Sequence, residues 1–247
     1  MTTDQFDLAQ AHGILCGRLL RTTTARESIL VAKALHLLLD QKASCMTQWN
    51  IELTFSTICI IASDAAAAAA TQQERPAHSP KTYQWLCHLV ATIIKRHRIR
   101  LGGHFHALIT TLHSLLRWLL SQPPSPEGEE RGANAKLFAR LLTLVCEPTD
   151  ASVPRSQATS LSSERDKAKR YAGQYMHLVL TQYIELQLHH TVSHEVREAL
   201  DAGMYSVLDI TPRDALEVMN DALDRSGRVL FGELYKQYQR FGKWSGV

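Results

Sequence analysis

Apolar residues recur every three or four positions along most of this chain, and no stretch shows the sustained two-residue alternation of a half-buried strand. Ser, Thr and Pro residues of the kind that begin helices precede several of these stretches, and Gly follows others. The sequence therefore predicts an all-α protein of about ten helices. These helices are expected over 4–21, 25–40, 47–70, 80–100, 104–121, 134–147, 163–190, 193–203, 212–223 and the terminal stretch after Gly227.

Four helices carry expectations about packing. The most regular apolar stripes are Leu86, Leu89, Val90, Ile93 and Ile94 in one helix, and Phe105, Leu108, Ile109, Leu112, Leu115, Leu116 and Leu119 in the next. In the helix over 25–40 the expected stripe is Leu30, Ala34, Leu37 and Leu38. The alanine run 65–70 favours helix but offers little to pack, so we expect that end to fray or project.

Four sequence signals set the expected helix boundaries. Thr24, with Glu27 three residues later, has the form of a capping box, and Ser163 begins a Ser-x-x-Asp pattern of the same kind. The glycine pair 102–103 is expected to join two antiparallel helices into a helical hairpin. Gly203 is expected to close a short helix, because glycine is the residue most often found just past a helix end.

The helices show no fixed sequence period, which argues against a regular solenoid of the tetratricopeptide or ankyrin kind. We expect an irregular helical array, either HEAT-like (the end of an α-solenoid) or a compact helical bundle. Residues 1–247 are expected to form a single all-α domain. Polar, Pro-rich or Ser-rich composition predicts mobile loops near 71–80, 122–132 and 148–161.

The last segment of the chain combines aromatic and basic residues at helical spacing. Its apolar residues form the expected docking face of a C-terminal helix: Leu230, Phe231, Leu234, Tyr235, Tyr238, Phe241 and Trp244. At 100° per residue, Lys236, Arg240 and Lys243 fall on roughly the opposite face. We therefore interpret this segment as the closing helix of the fold, with a basic outer face that is a candidate for phosphate contact.

Composition narrows the functional classes. Apolar residues make up 45% of the chain, which is enough for a sizeable core, and the net charge of +3 is too small to nominate nucleic acid by itself. The five cysteines are scattered without a Cys-x-x-Cys pair, as expected of reduced core thiols. The first residues lack the features of a secretory leader. The apolar window 51–70 is interrupted by polar residues and is expected to be a core helix rather than a membrane span.

A local cluster of charge carries more information than the total. Four basic residues fall within six positions at a predicted helix end: Lys95, Arg96, Arg98 and Arg100. Cations at a helix C-terminus complement the helix dipole, but four in six exceed what that role needs. The cluster is therefore a candidate for RNA or phosphate contact, with His97 as a further solvated member.

Signals of catalysis are weak. The chain contains no Gly-x-Ser-x-Gly elbow and no phosphate-binding Gly-rich loop, so we expect no enzyme and no cofactor. A metal-dependent enzyme using His190 and His194, with Glu195 beside the second, is kept as an alternative. Against it, residues 191–193 have the composition of a helix break, so the two histidines are not expected to share one helix face.

The C-terminal part of the chain resembles a known domain. The resemblance covers roughly 137–247 and includes Ser226-Gly227-Arg228 and Phe241-Gly242-Lys243-Trp244. Its other stretches are 137–142, 146–148, 183–188, 196–209 and 223–231. They are similar to the C-terminal domain of the nucleolar 27S pre-rRNA processing proteins, also called the unhealthy-ribosome-biogenesis family.

This resemblance implies a non-enzymatic scaffold for pre-rRNA processing and early large-subunit (pre-60S) assembly, located in the nucleus and nucleolus. It implies that the chain is the C-terminal part of a larger helical-repeat protein. The implied partners are other assembly factors, namely another large helical scaffold and a DEAD-box helicase, with pre-rRNA as a further candidate. Neither a membrane nor a small-molecule substrate is implied. A purely protein-binding helical module without RNA contact remains the alternative.

Overall fold

A computed structural model gives the fold and describes residues 3–71, 77–122, 128–149 and 161–242. These residues form ten α-helices and two short 3₁₀ turns, without a strand, which confirms the all-α prediction. The helices are α1 (Thr3–Leu19), α2 (Ala25–Gln41), α3 (Gln48–Ala70), α4 (Pro80–Arg96), α5 (Phe105–Ser121), α6 (Gly128–Cys146), α7 (Leu161–His189), α8 (His194–Ile210), α9 (Arg213–Ala222) and α10 (Arg225–Phe241).

The chain divides into two compact units, Met1–Pro123 and Pro124–Val247. The expectation of a single domain stays a prediction. The expected loop near 122–132 is wrong in its second half, because α6 already begins at Gly128. Much of the loops expected near 71–80 and 148–161 lies outside the described residues.

In the first unit, the closest backbone packing joins helices that are two apart in sequence. Helix α2 packs along α4, helix α3 packs along α5, and α1 lies against both α2 and α3. The expected hairpin of α4 and α5 is therefore not the main pairing, although the rings of Tyr83 and Trp118 connect these helices at 5.1 Å. This pattern is closer to a compact bundle than to a stack of consecutive hairpins.

The stripes predicted for α4 and α5 are buried as expected. In α2 the predicted stripe is wrong: Ser28, Ala32, Leu35 and Leu39 face the core, while Leu30 and Leu37 are 58% and 51% exposed. Leucines occur on both faces of this helix, so their spacing alone does not select the inner one. The predicted Thr24 cap is present, since its side chain accepts a hydrogen bond from the Glu27 N–H.

The alanine run at the end of α3 does not fray. Ala65, Ala66 and Ala68 are buried, and α3 as a whole packs closely along α5. By length and composition α3 could also cross a membrane. That is a weak indication, since buried core helices have the same composition, and α3 packs against α1 and α5.

A buried polar network joins α1 to α3. His12 is fully buried, and its Nε2 lies 3.0 Å from the Thr54 hydroxyl. The Asn50 side-chain amide donates to the Ala9 carbonyl at 3.0 Å and lies 3.3 Å from His12 Nδ1. Because buried polar groups need partners, this network fixes how the two helices align.

In the second unit, α8 packs very closely against α6 and also contacts α7, which in turn supports α9 and α10. The expectation that Gly203 ends a helix is wrong, since α8 continues through it to Ile210. A Cβ placed at Gly203 would lie 2.7 Å from Ala139 Cα on α6. Gly203 is thus explained by close helix packing rather than by a helix end. Ser163 also lies inside a helix, because α7 begins at Leu161.

Candidate nucleic-acid interface

The end of α4 is held in place by contacts to α2. Helix α4 ends at Arg96, whose Nε donates to Asp40 Oδ1 on α2 at 2.7 Å. This hydrogen bond lowers the pKa of the Asp40 carboxyl. A 3₁₀ turn, Arg98–Leu101, follows and buries Leu101. The basic residues of this segment therefore lie on a helix end and an ordered turn rather than on a free tail.

His97 has a structural role that the sequence did not reveal. The expectation of a solvated histidine is wrong, because its side chain is buried and its Nε2 lies 2.8 Å from the Leu39 carbonyl oxygen. A carbonyl oxygen only accepts, so Nε2 carries the proton and donates. Burial lowers the pKa of His97, and the neighbouring Arg100 and Arg96 lower it further. His97 therefore stays neutral near pH 7 and anchors the turn on α2.

We call Lys95, Arg96, Arg98 and Arg100 the basic corner. Lys95 and Arg96 are exposed, and Arg98 and Arg100 are half-buried. The ion pair with Asp40 occupies Arg96, whereas Lys95 forms no ion pair within the described part of the chain. Clustered cations held at a surface attract phosphate groups. Contact with RNA or phosphate at this corner stays a prediction.

Three of the residues expected on the docking face of the terminal helix point inward. In α10, Phe231, Leu234 and Tyr238 are buried. The Tyr238 hydroxyl also donates a hydrogen bond to the Asp209 carboxylate of α8. Asp224 caps the helix by accepting from the Gly227 N–H at 2.6 Å. The segment is thus a folded helix of the second unit.

The other docking-face candidates are less buried or cannot be placed. Leu230 and Tyr235 are half-buried. Phe241 is 68% exposed, so its assignment to the inner face is wrong. It lies in the last turn of α10, beyond the buried Tyr238. Trp244 lies outside the described residues.

The basic face of α10 is partly neutralised within the helix. Lys236 Nζ lies 2.8 Å from Glu233, and Arg240 is exposed. Arg228 donates to the carbonyl oxygens of Asn220 and Leu223 at the end of α9, so it acts as a cap. Lys243 lies outside the described residues. The basic corner is therefore the better candidate for an external anion.

The residues of the alternative metal site lie at the ends of two different helices. His190 follows the last residue of α7, and His194 is the first residue of α8, with Nδ1 3.8 Å from Glu198. Among residues 3–71, 77–122, 128–149 and 161–242, no group of three or more His, Cys, Asp or Glu side chains comes close enough to hold a metal ion. His190, His194 and Glu195 thus provide no ligand set.

Sequence reasoning missed the side chains of α2 that lie beside α4. Lys33 and His36 approach Trp85, which is about fifty positions away along the chain. The spacing within each helix marks these residues as outward-facing, but periodicity does not indicate which helices are neighbours. Only the pairing of α2 with α4 brings them together.

Comparison with known proteins identifies the chain at the level of a family. The sequence model of the Urb2/Npa2 family matches residues 29–247, which is most of both units. The chain matches no curated protein and no solved structure. The Urb2/Npa2 family is a ribosome biogenesis family and is not known as a family of enzymes. The match confirms the resemblance seen in the sequence, and the chain belongs to the Urb2/Npa2 family.

Proposed function

We propose that this chain is a non-enzymatic scaffold in early assembly of the large ribosomal subunit, acting in the nucleolus during pre-rRNA processing. Family membership supports a role in ribosome biogenesis. Two bundles of packed helices provide binding surfaces without a metal-ligand cluster among the described residues. The proposed partners are other assembly factors, including a large helical scaffold and a DEAD-box helicase, and pre-rRNA.

The basic corner is the observation that carries the RNA part of this proposal. Lys95 and Arg100 lie on both sides of His97, which is hydrogen-bonded to Leu39 and keeps the turn rigid. A rigid group of cations binds phosphate without the entropic cost of ordering a tail. Contacts of this kind are independent of sequence and sensitive to salt.

A salt titration tests this contact. The variant Lys95→Gln/Arg100→Gln removes two phosphate contacts, so the slope of log K against log salt for single-stranded RNA is expected to become less steep by about 1.4. The measurement is fluorescence anisotropy of a labelled RNA at several salt concentrations. The matched control is Lys167→Gln/Arg213→Gln, which neutralises two cations that pair with glutamates of their own helices.

The titration has a clear negative result. An unchanged slope in Lys95→Gln/Arg100→Gln, or an equal change in the control, would remove the basic corner from the proposal. Absence of binding by the unmodified chain at low salt would remove RNA contact altogether.

A groove in the second unit favours protein binding as a second function. It measures about 560 Å³ between α9 and α10, and Leu216, Phe231 and Tyr235 contribute apolar surface to it. Arg213 and Glu217 lie at its polar side. A groove that combines apolar surface with charged side chains suits an amphipathic helix of a partner protein. Loss of partner binding with unchanged RNA affinity in a Leu216→Glu variant would support protein binding at this groove, separate from any RNA contact.

A further inference from the structure

Basic side chains surround one aromatic ring where α2 packs against α4. Lys33 Nζ lies 5.4 Å from the centre of the Trp85 ring. The rings of His36 and His88 have their centres 5.8 Å and 5.3 Å from that of Trp85. We call Lys33, His36, Trp85 and His88 the seam cluster. It combines a half-buried indole with the exposed Lys33 and His88 and the half-buried His36.

The electrostatics of the seam cluster favour an anion. Burial lowers the pKa of His88, and the nearby His36 and Lys95 lower it further. The Asp40 carboxylate on the same helix pair is already bound to Arg96. A positive charge on His88 is therefore disfavoured in the folded protein, and a nearby anion would make it less unfavourable.

Helix packing alone does not account for this arrangement. The cation–π contact of Lys33 with Trp85 contributes about 0.5–1 kcal/mol at an exposed site. Packing of α2 on α4 could use any apolar pair at this position, and it does not require Lys33 and Lys95 on this surface. An aromatic ring with lysines on the same surface is typical of proteins that bind single-stranded nucleic acid.

We propose that the seam cluster binds an unpaired stretch of RNA, with a base stacked on Trp85 and phosphates held by Lys33 and Lys95. This inference rests on the proposed function, since it extends the RNA contact beyond the basic corner. Lys95 belongs to α4, ten residues after Trp85, which corresponds to about 15 Å along the helix. A strand that crosses the basic corner can therefore reach the ring. On binding, Lys33 moves from the ring face to a phosphate.

The occupant is RNA rather than an acidic protein segment because of the ring. Carboxylates and phosphates would pair with Lys33 and Lys95 in the same way, but every nucleotide of an RNA strand also carries a flat base that can stack on Trp85, whereas the acidic residues of a protein segment carry none. An RNA strand can make both kinds of contact at once, because the same strand supplies a base for Trp85 and phosphates for the lysines.

Oligonucleotide binding by the full 247-residue chain tests the seam cluster. For a short unstructured RNA, Trp85→Leu is expected to weaken binding about tenfold, and Trp85→Phe to retain most of the affinity. On an oligonucleotide without bases, Trp85→Leu is expected to bind as the unmodified chain does. Trp49→Leu is the control, since Trp49 is an exposed tryptophan on α3 of the same unit. Circular dichroism verifies that each variant is folded.

Three results would overturn the inference. One is unchanged RNA affinity in Trp85→Leu while Lys95→Gln/Arg100→Gln weakens binding, a result that leaves the proposed function standing. Another is an equal loss on RNA with and without bases, which would mean that Trp85 acts only through the fold. The third is equal competition by polyglutamate, which would identify the seam cluster as a site for acidic proteins. If neither the unmodified chain nor any variant binds RNA, the proposed RNA contact fails as well.

Discussion

The variant Gly203→Ala is expected to lower the free energy of unfolding of the second unit by about 2 kcal/mol. The new Cβ would lie 2.7 Å from Ala139 Cα and 2.8 Å from the Ala139 carbonyl oxygen. Both atoms belong to the backbone of α6, so a side-chain rotation cannot relieve the overlap. Forced separation of α6 and α8 costs about 3 kcal/mol, and the better helix propensity of alanine offsets about 1 kcal/mol of this cost.

Gly232→Ala provides the matched control for this prediction. Gly232 also lies inside a helix, but nothing comes within 4 Å of the Cβ position. We expect this variant to be stabilised by about 0.5–1 kcal/mol. Denaturant unfolding gives the change in stability, and amide hydrogen exchange of α6 and α8 shows where it arises. Equal effects of the two substitutions would contradict the close packing of α6 on α8.

Acid is expected to destabilise the first unit through His12. Burial lowers the pKa of this histidine to about 4, and the charge of His97 lowers it too. In the unfolded chain the pKa of histidine is about 6.5, so the unfolded state binds the proton first as pH falls. The contribution of neutral His12 is complete above pH 6.5 and is lost progressively between about pH 6.5 and pH 4. The full difference is about 3 kcal/mol.

Comparison of variants isolates this effect. Asp201 of the second unit acts in the opposite direction, because burial raises its pKa to about 6. We therefore compare the unmodified chain with His12→Gln, in which Asp201 is unchanged. The stability of His12→Gln is expected to depend less on pH between 4 and 6.5, with a residual slope from His97. The exposed His194→Gln is the control. If the free energy of unfolding changed with pH in the same way in all three proteins, His12 would not be a buried neutral histidine.

The sequence was sufficient to predict the helices and the buried face where one face alone is apolar. The stripes of α4 and α5 are of this kind. Helix α2 differs, because Leu30 and Leu37 on the outside alternate with Leu35 and Leu39 on the inside. A helix with two apolar faces could bury either of them, and only the positions of α1 and α4 determine which face of α2 is buried.

Small residues were misread for a related reason. The alanine run of α3 and Gly203 of α8 have little side chain to pack, so their composition suggested a frayed end and a helix stop. In the structure Gly203 lies against the backbone of α6, and Ala65, Ala66 and Ala68 are buried. A small residue allows close approach only where a partner helix is present. The local sequence does not show whether such a partner is there.

The candidate site was predictable only in part. The basic corner follows directly from the local density of Lys and Arg. The inward position of His97 does not, because it depends on the Leu39 carbonyl of another helix. For the same reason, the meeting of Lys33 with Trp85 required the pairing of α2 with α4. Charge density is local information, whereas the composition of a surface depends on tertiary packing.

Ultraviolet crosslinking of the tagged full-length protein to RNA in living cells tests the central claim most directly. We predict that the crosslinked RNA is precursor of the large-subunit rRNA, and that the crosslinked peptides come from the end of α4 and the facing part of α2. The neutralised variant Lys95→Gln/Arg100→Gln is expected to reduce the yield severalfold at equal protein level. Crosslinked RNA at the level of the unirradiated control, or crosslinks confined to other parts of the chain, would contradict RNA contact at the basic corner.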